Sequence, residues 1–138
     1  MKDALLLDTC AALWLAEGSP LAAPALQALA QARRAGTPIL VSPMTAWEIG
    51  VLVARNRLRL PMEPAAWFAA LVALPGLALA ELTPALLAAA AALPGEPPRD
   101  PVDRMMAATA RGLGCRLITR DQALLDYARA GHMQATAC

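Results

Sequence analysis

Four carboxylates stand where short apolar segments give way to helix-like ones. Asp8 closes "LLLD", Glu48 lies in "SPMTAWEIG", Asp103 in "RDPVDRMM" and Asp121 in "LITRD". Gathered at one edge of a fold, such groups would repel by roughly 3 kcal/mol per pair at ~5 Å, with an effective dielectric of ~20. Something positive must offset that repulsion, and Lys2 is the sole lysine of the chain. A hard divalent cation, Mg²⁺ or Mn²⁺, meets the need, because carboxylate, hydroxyl and water oxygens suit these ions whereas zinc prefers His or Cys. Water activated by the metal would then serve as nucleophile, and two ions ~4 Å apart would also stabilise the leaving oxygen of a phosphodiester. The one histidine, His132 in "RAGHMQ", reads as a surface-loop residue and a poor general base.

Each carboxylate also has an ordinary reading. Asp8 would be a turn residue at a strand end, Asp121 the cap of "DQALLDYA", and Glu48 the partner of an arginine. Glu48 is placed by a helical wheel between Met44, Trp47, Val51 and Leu52, a core-facing position that seldom holds an unpaired carboxylate. Asp100 and Asp103 divide by context. Asp100, followed by Pro101, reads as a helix cap. Asp103 shares a face with Met106, Ala107, Ala110 and Gly114 and is the aspartate expected to meet metal.

The elements that must carry these residues alternate. Apolar runs of strand length occupy 4–8, 38–42, 77–82 and 115–119, with a weaker candidate at 133–136. Runs apolar nearly throughout suit strands covered on both faces. Ser42-Pro43, Thr83-Pro84 and Asp100-Pro101 each set a capping residue before a proline at a helix start. A Pro-rich loop is expected over 93–100 and a basic one over 55–61. The order implies an α/β fold, a central mainly parallel β-sheet of four to five strands flanked by α-helices, over a single domain, 1–138. Ligands of such sheets bind beyond the carboxyl ends of the strands, where Asp8 and Asp121 fall.

Composition removes several classes. Hydrophobic residues make up 58% of the 138, which argues against disorder. No membrane segment is expected, since the charge-free run between Glu63 and Glu81 is broken by Pro75-Gly76 before it reaches ~20 residues. The N-terminus, interrupted by Asp8, does not read as an export signal. Cys10, Cys115 and Cys138 are odd in number and far apart, which points to a reducing cytoplasm. A net charge of +1 gives no overall basic field.

The chain resembles the PIN-domain ribonucleases, particularly the VapC toxins of bacterial toxin–antitoxin pairs. The matching segments are "LLLDT" (5–9), "SPMTAWEIG" (42–50), "RLRLP" (57–61), "RDPVDRMMAATA" (99–110) and "LITRD" (117–121), in family order across essentially the whole chain. The resemblance implies a PIN-like domain and a Mg²⁺- or Mn²⁺-dependent endoribonuclease whose catalytic, metal-binding pocket is Asp8, Glu48, Asp103 and Asp121. It places Thr9 and Thr119 at hydroxyl positions near that pocket. It implies an RNA substrate, a homodimer and a cognate VapB-like antitoxin whose C-terminal segment covers the groove. One departure is in "RNRLRLP", where relatives commonly have a glycine before the Arg-Leu pair.

Other readings stay open at this level: a non-toxin PIN-type nuclease, or a metal-binding signalling or interaction domain without nuclease activity. A phosphoacceptor receiver domain needs a late lysine, absent here. A DxD-type phosphatase is disfavoured because Thr9-Cys10 follows Asp8. On the RNA side, Arg99 and Arg120 lie beside the pocket motifs and suit phosphate contacts. Trp14, Trp47, Trp67 and Phe68 are expected to pack in the core.

Overall fold

A computed structural model describes residues 4–138; Met1, Lys2 and Asp3 lie outside the described residues. In chain order the elements are β1 (Leu5–Leu7), α1 (Thr9–Glu17), α2 (Ala23–Ala35), β2 (Ile39–Val41), α3 (Pro43–Ala54), α4 (Pro64–Val72), β3 (Leu77–Leu79), α5 (Pro84–Ala91), α6 (Pro101–Leu113), β4 (Arg116–Thr119), α7 (Gln122–Arg129) and β5 (Gln134–Ala137). The five strands form one sheet in the order β3-β2-β1-β4-β5, every pairing parallel. All five expected runs become strands, the weak one at 133–136 included.

The period of two along each strand sorts the core into two layers. Ala4, Leu6, Leu40 and Leu117 face α6 and α7, packing on Val102, Met106, Ala107, Ala110, Leu124 and Tyr127. Leu5, Leu7, Ile39, Val41 and Ile118 face the other way, onto Ala11 and Ala12 of α1, Ala25, Leu29 and Ala32 of α2, and Leu71 of α4. The central strands are therefore apolar on both sides, as their sequence predicts. β3 departs from that expectation. It is an edge strand, and Leu79 is 54% exposed.

The expected helix starts are realised. Ser42 accepts from the Met44 amide at 3.1 Å, Thr83 from Leu86 at 3.2 Å and Asp100 from Asp103 at 3.0 Å, each with proline in the first turn. The proline-rich connection before α6 is held by Arg104, which donates to the carbonyls of Ala90, Ala91 and Pro98. Asn56, in the segment where the family resemblance implies a glycine, takes a left-handed φ of 57°. Asparagine tolerates that region better than other side chains do, so the turn after α3 survives the exchange.

The sheet order has one consequence for function. From β1 the chain winds outward to β2 and β3, then returns to add β4 and β5 on the other side of β1. The crevice between β1 and β4 at their carboxyl ends is the switch point, the usual ligand position in open parallel sheets.

Candidate active site

Asp8 follows β1 directly and caps α1, its Oδ1 accepting from the Ala11 amide at 2.8 Å. Its Oδ2 accepts the hydroxyl proton of Thr119, the last residue of β4. Thr119 Oγ1 in turn accepts from the Asp121 amide at 3.0 Å, and Asp121 caps α7 through Leu124 at 3.0 Å. The two sides of the crevice are thus tied by one buried hydroxyl. On the opposite wall, Thr9 donates to Glu48 Oε1, and its oxygen lies 3.3 Å from that of Thr45. Thr9 has spent its proton on Glu48, so Thr45 is the donor of that second contact.

Asp8, Glu48, Asp103 and Asp121 line one cavity of about 310 Å³, together with Thr9, Cys10, Trp14, Met106 and Arg120. The four carboxylates read from the sequence are therefore brought together. The alternative reading of Glu48, an arginine partner, is not met among the described residues; its partner is Thr9. The helical-wheel placement of Glu48 also needs correction. α3 buries Thr45 and Ile49, leaves Trp47 59% exposed, and holds Glu48 half-buried at the edge of that face. Trp47 is thus not a core residue, whereas Trp14, Trp67 and Phe68 do pack against the core.

Crowded charge shows in the acidities. Burial, followed by the charges of Asp121, Asp100, Glu48 and Asp8, pushes Asp103 up to about 7. Its carboxylate accepts no hydrogen bond among the described residues. Burial also raises Asp8, against the lowering effect of the Thr119 hydroxyl, and raises Glu48 against that of Thr9.

Would such a set hold a divalent ion? Among the described residues no three His, Cys, Asp or Glu side chains are drawn close enough to chelate an ion as they stand. Mg²⁺ does not require that; it keeps several waters and is bound through one or two carboxylates plus substrate phosphate. The donor set is all oxygen, and lone pairs remain free on every one of the four carboxylates. The four carboxylates fit a hydrated hard cation, and no histidine lines the cavity to favour zinc.

Asp100 divides from Asp103 as its sequence context suggests. It caps α6, is exposed and does not line the cavity, although its charge reaches Asp103 and Glu48. Arg99 lines a neighbouring cavity of about 570 Å³, and His132 lies there too, stacked on Tyr127 at 4.7 Å. His132 is packed rather than free. A Cβ on Gly95 would fall 2.3 Å from its Nε2, so only glycine fits opposite the ring. Thr45 and Cys10 are the lining or supporting residues that sequence reasoning missed. For Thr45 the available signal was its spacing three before Glu48, on the same side of one helix.

Together these features define a class: an α/β domain whose acidic pocket opens at the switch point of a parallel sheet. The PIN domain family model matches residues 5–130, and the chain belongs to that family. It is 33% identical over 127 residues to Ribonuclease VapC22 of Mycobacterium tuberculosis, covering 92% of this chain and 93% of that protein. The fold is also that of VapBC2 from Rickettsia felis, solved bound to a DNA fragment from their promoter. That match has a TM-score of 0.64 at 12% identity and covers 97% of this chain and 98% of that one. No helix among the described residues is long and apolar enough to cross a membrane.

Proposed function

We propose that the chain is a Mg²⁺- or Mn²⁺-dependent endoribonuclease and the toxin of a VapBC-type toxin–antitoxin pair. The observation that carries this reading is the convergence of Asp8, Glu48, Asp103 and Asp121 on one switch-point cavity, with no cationic side chain among the described residues paired to any of them. The ribonuclease name of the relative that spans nearly the whole chain supports the reaction. The VapBC complex of the same fold supports an antitoxin partner. Exposed Trp47, one residue from Glu48, offers that partner apolar surface beside the pocket. A homodimer in a reducing cytoplasm completes the reading, the latter in keeping with three free thiols.

Asp8, Glu48, Asp103 and Asp121 would hold the ion. When bound, it supplies a water acidic enough to attack phosphorus near neutral pH and positive charge to meet the developing negative charge. The chain's own residues prepare for that. Thr119 fixes the Asp8 carboxylate by one oxygen and the helix amide of Ala11 fixes the other, so Asp8 cannot rotate away. Thr9 does the same for one oxygen of Glu48 and leaves the second free. Asp103, unpartnered and titrating near neutrality, can take up a proton at its carboxylate. Met106 closes the apolar side of the cavity.

Purified protein incubated with RNA and Mn²⁺ or Mg²⁺ should cut it, and EDTA should stop the cut. Cleavage undiminished in Asp8→Asn would refute the site assignment.

A further inference from the structure

Two other partly buried arginines, Arg104 and Arg116, spend their donors on the chain. Arg104 gives Nε, Nη1 and Nη2 to three carbonyls, at 2.9, 3.1 and 3.2 Å. Arg116 uses both Nη groups on Ala135, Thr136 and Gln134 of β5. Arg120 behaves differently. Among the described residues it is the one cation lining the acidic cavity, yet it forms no ion pair with any carboxylate there.

The reason is how the side chain is held. Its Nε donates to the Cys138 carbonyl at 2.7 Å, and Cζ sits 3.7 Å from the centroid of the Trp14 ring. Stacking takes up one face of the guanidinium and the carbonyl takes up one edge. Neither Nη has a partner among the described residues. Face-on stacking leaves in-plane donors available, and the two Nη groups form a fork that matches two oxygens of a phosphate. A fixed, unspent guanidinium beside a cluster of carboxylates would also offset the repulsion that an incoming polyanion meets there.

We propose that Arg120, braced by Trp14 and the Cys138 carbonyl, binds a backbone phosphate of the RNA strand at the mouth of the acidic cavity. The inference rests on the nuclease reading and adds to it a substrate contact outside the four carboxylates. It also assigns Trp14: with one ring face covered by Arg120, it is a positioning residue acting through the guanidinium.

The test is steady-state cleavage of a short single-stranded RNA by wild-type, Arg120→Ala, Arg120→Lys and Trp14→Leu proteins. Arg120→Ala should raise KM about tenfold or more, the size of a lost charge-assisted hydrogen bond, with a smaller change in kcat. Arg120→Lys keeps charge without the fork and should fall between; Trp14→Leu should raise KM in the same direction by less. Fluorescence anisotropy of the same RNA on metal-free Asp8→Asn protein supplies a second readout. There Arg120→Ala should make the slope of log K against log salt shallower by about 0.7, the value for one phosphate on a single strand. Circular dichroism melts identify any variant that fails to fold, and Arg120→Gln then replaces Arg120→Ala. Unchanged KM and unchanged salt slope overturn the proposal while leaving the nuclease reading intact. Wild-type protein that neither binds nor cuts RNA removes both.

Discussion

The Thr119 hydroxyl donates to Asp8 Oδ2 across 111 residues of sequence, and the same oxygen accepts the Asp121 amide at 3.0 Å. One buried side chain thus registers the end of β4 against the end of β1, fixing the carboxylate of Asp8 and the backbone of Asp121. Thr119→Val keeps the shape and removes both contacts. The expected cost is about 1–3 kcal/mol, chiefly because buried Asp8 loses its hydroxyl partner, with the part-buried Asp121 amide adding to it. A urea titration should show a lower midpoint with unchanged m-value. Asp8 should also become harder to ionise, since this hydroxyl is what opposes its burial. Thr119→Ser should recover most of both effects.

The two aspartates of "RDPVDRMM" should separate in cleavage assays. Asp103→Asn removes an unpartnered cavity carboxylate and should abolish RNA cleavage. Asp100→Asn keeps capping ability at an exposed position outside the cavity and should retain much of it. Equal losses from both would overturn the division of labour.

The same Asp103 makes a prediction about stability in chelator-washed protein. Its folded pKa of about 7 lies above the ordinary 3.8, so between those values the folded chain holds a proton that the unfolded chain has released. Stability therefore falls as pH rises from about 4 to about 7 and is not regained above it. Asp103→Asn escapes that loss. It should melt higher than wild type at pH 7.5, by an amount that shrinks to nothing as pH is lowered to about 4. A variant melting lower at pH 7.5 would show that the carboxylate is stabilising and the crowding argument mistaken.

Much of this architecture is legible in the sequence because its signals are local. A cap followed by proline sets where α3, α5 and α6 begin, and apolar runs mark every strand. The pocket is legible for a related reason. Asp8 and Asp121 end strands, so any parallel sheet carries them to the same edge. What the sequence hides is set by tertiary partners. The helical wheel centres the core face of α3 on Glu48, but packing against α1 and α4 goes with burial of Thr45 and Ile49 instead, which leaves Trp47 outside. His132 lies in the α7–β5 loop as expected and is partly exposed, but its stacking on Tyr127 and its approach to Gly95 are set by tertiary contacts. The bracing of Arg120 joins α1, the end of β4 and Cys138 just past β5, three places that no sequence pattern links.

Metal binding should be coupled to protons in a defined direction. Burial and mutual repulsion make Asp8, Glu48 and Asp103 weaker acids, and Asp103, pushed up to about 7, keeps a proton near neutral pH that an ion must displace. Mn²⁺ affinity should therefore increase as pH rises through about 7 and level off above it. Calorimetric titration in buffers of different ionisation enthalpy measures the number of protons released, which should be positive at pH 6.5 and near zero at pH 8.5. The thermal consequence runs in parallel. Saturation at about a hundred times Kd should stabilise the fold by roughly 2.7 kcal/mol, and EDTA should reverse it. Asp103→Asn should lose most of the pH dependence, because it removes the carboxylate that titrates closest to neutrality. Mn²⁺ affinity independent of pH from 6 to 8 would place the ion away from these carboxylates.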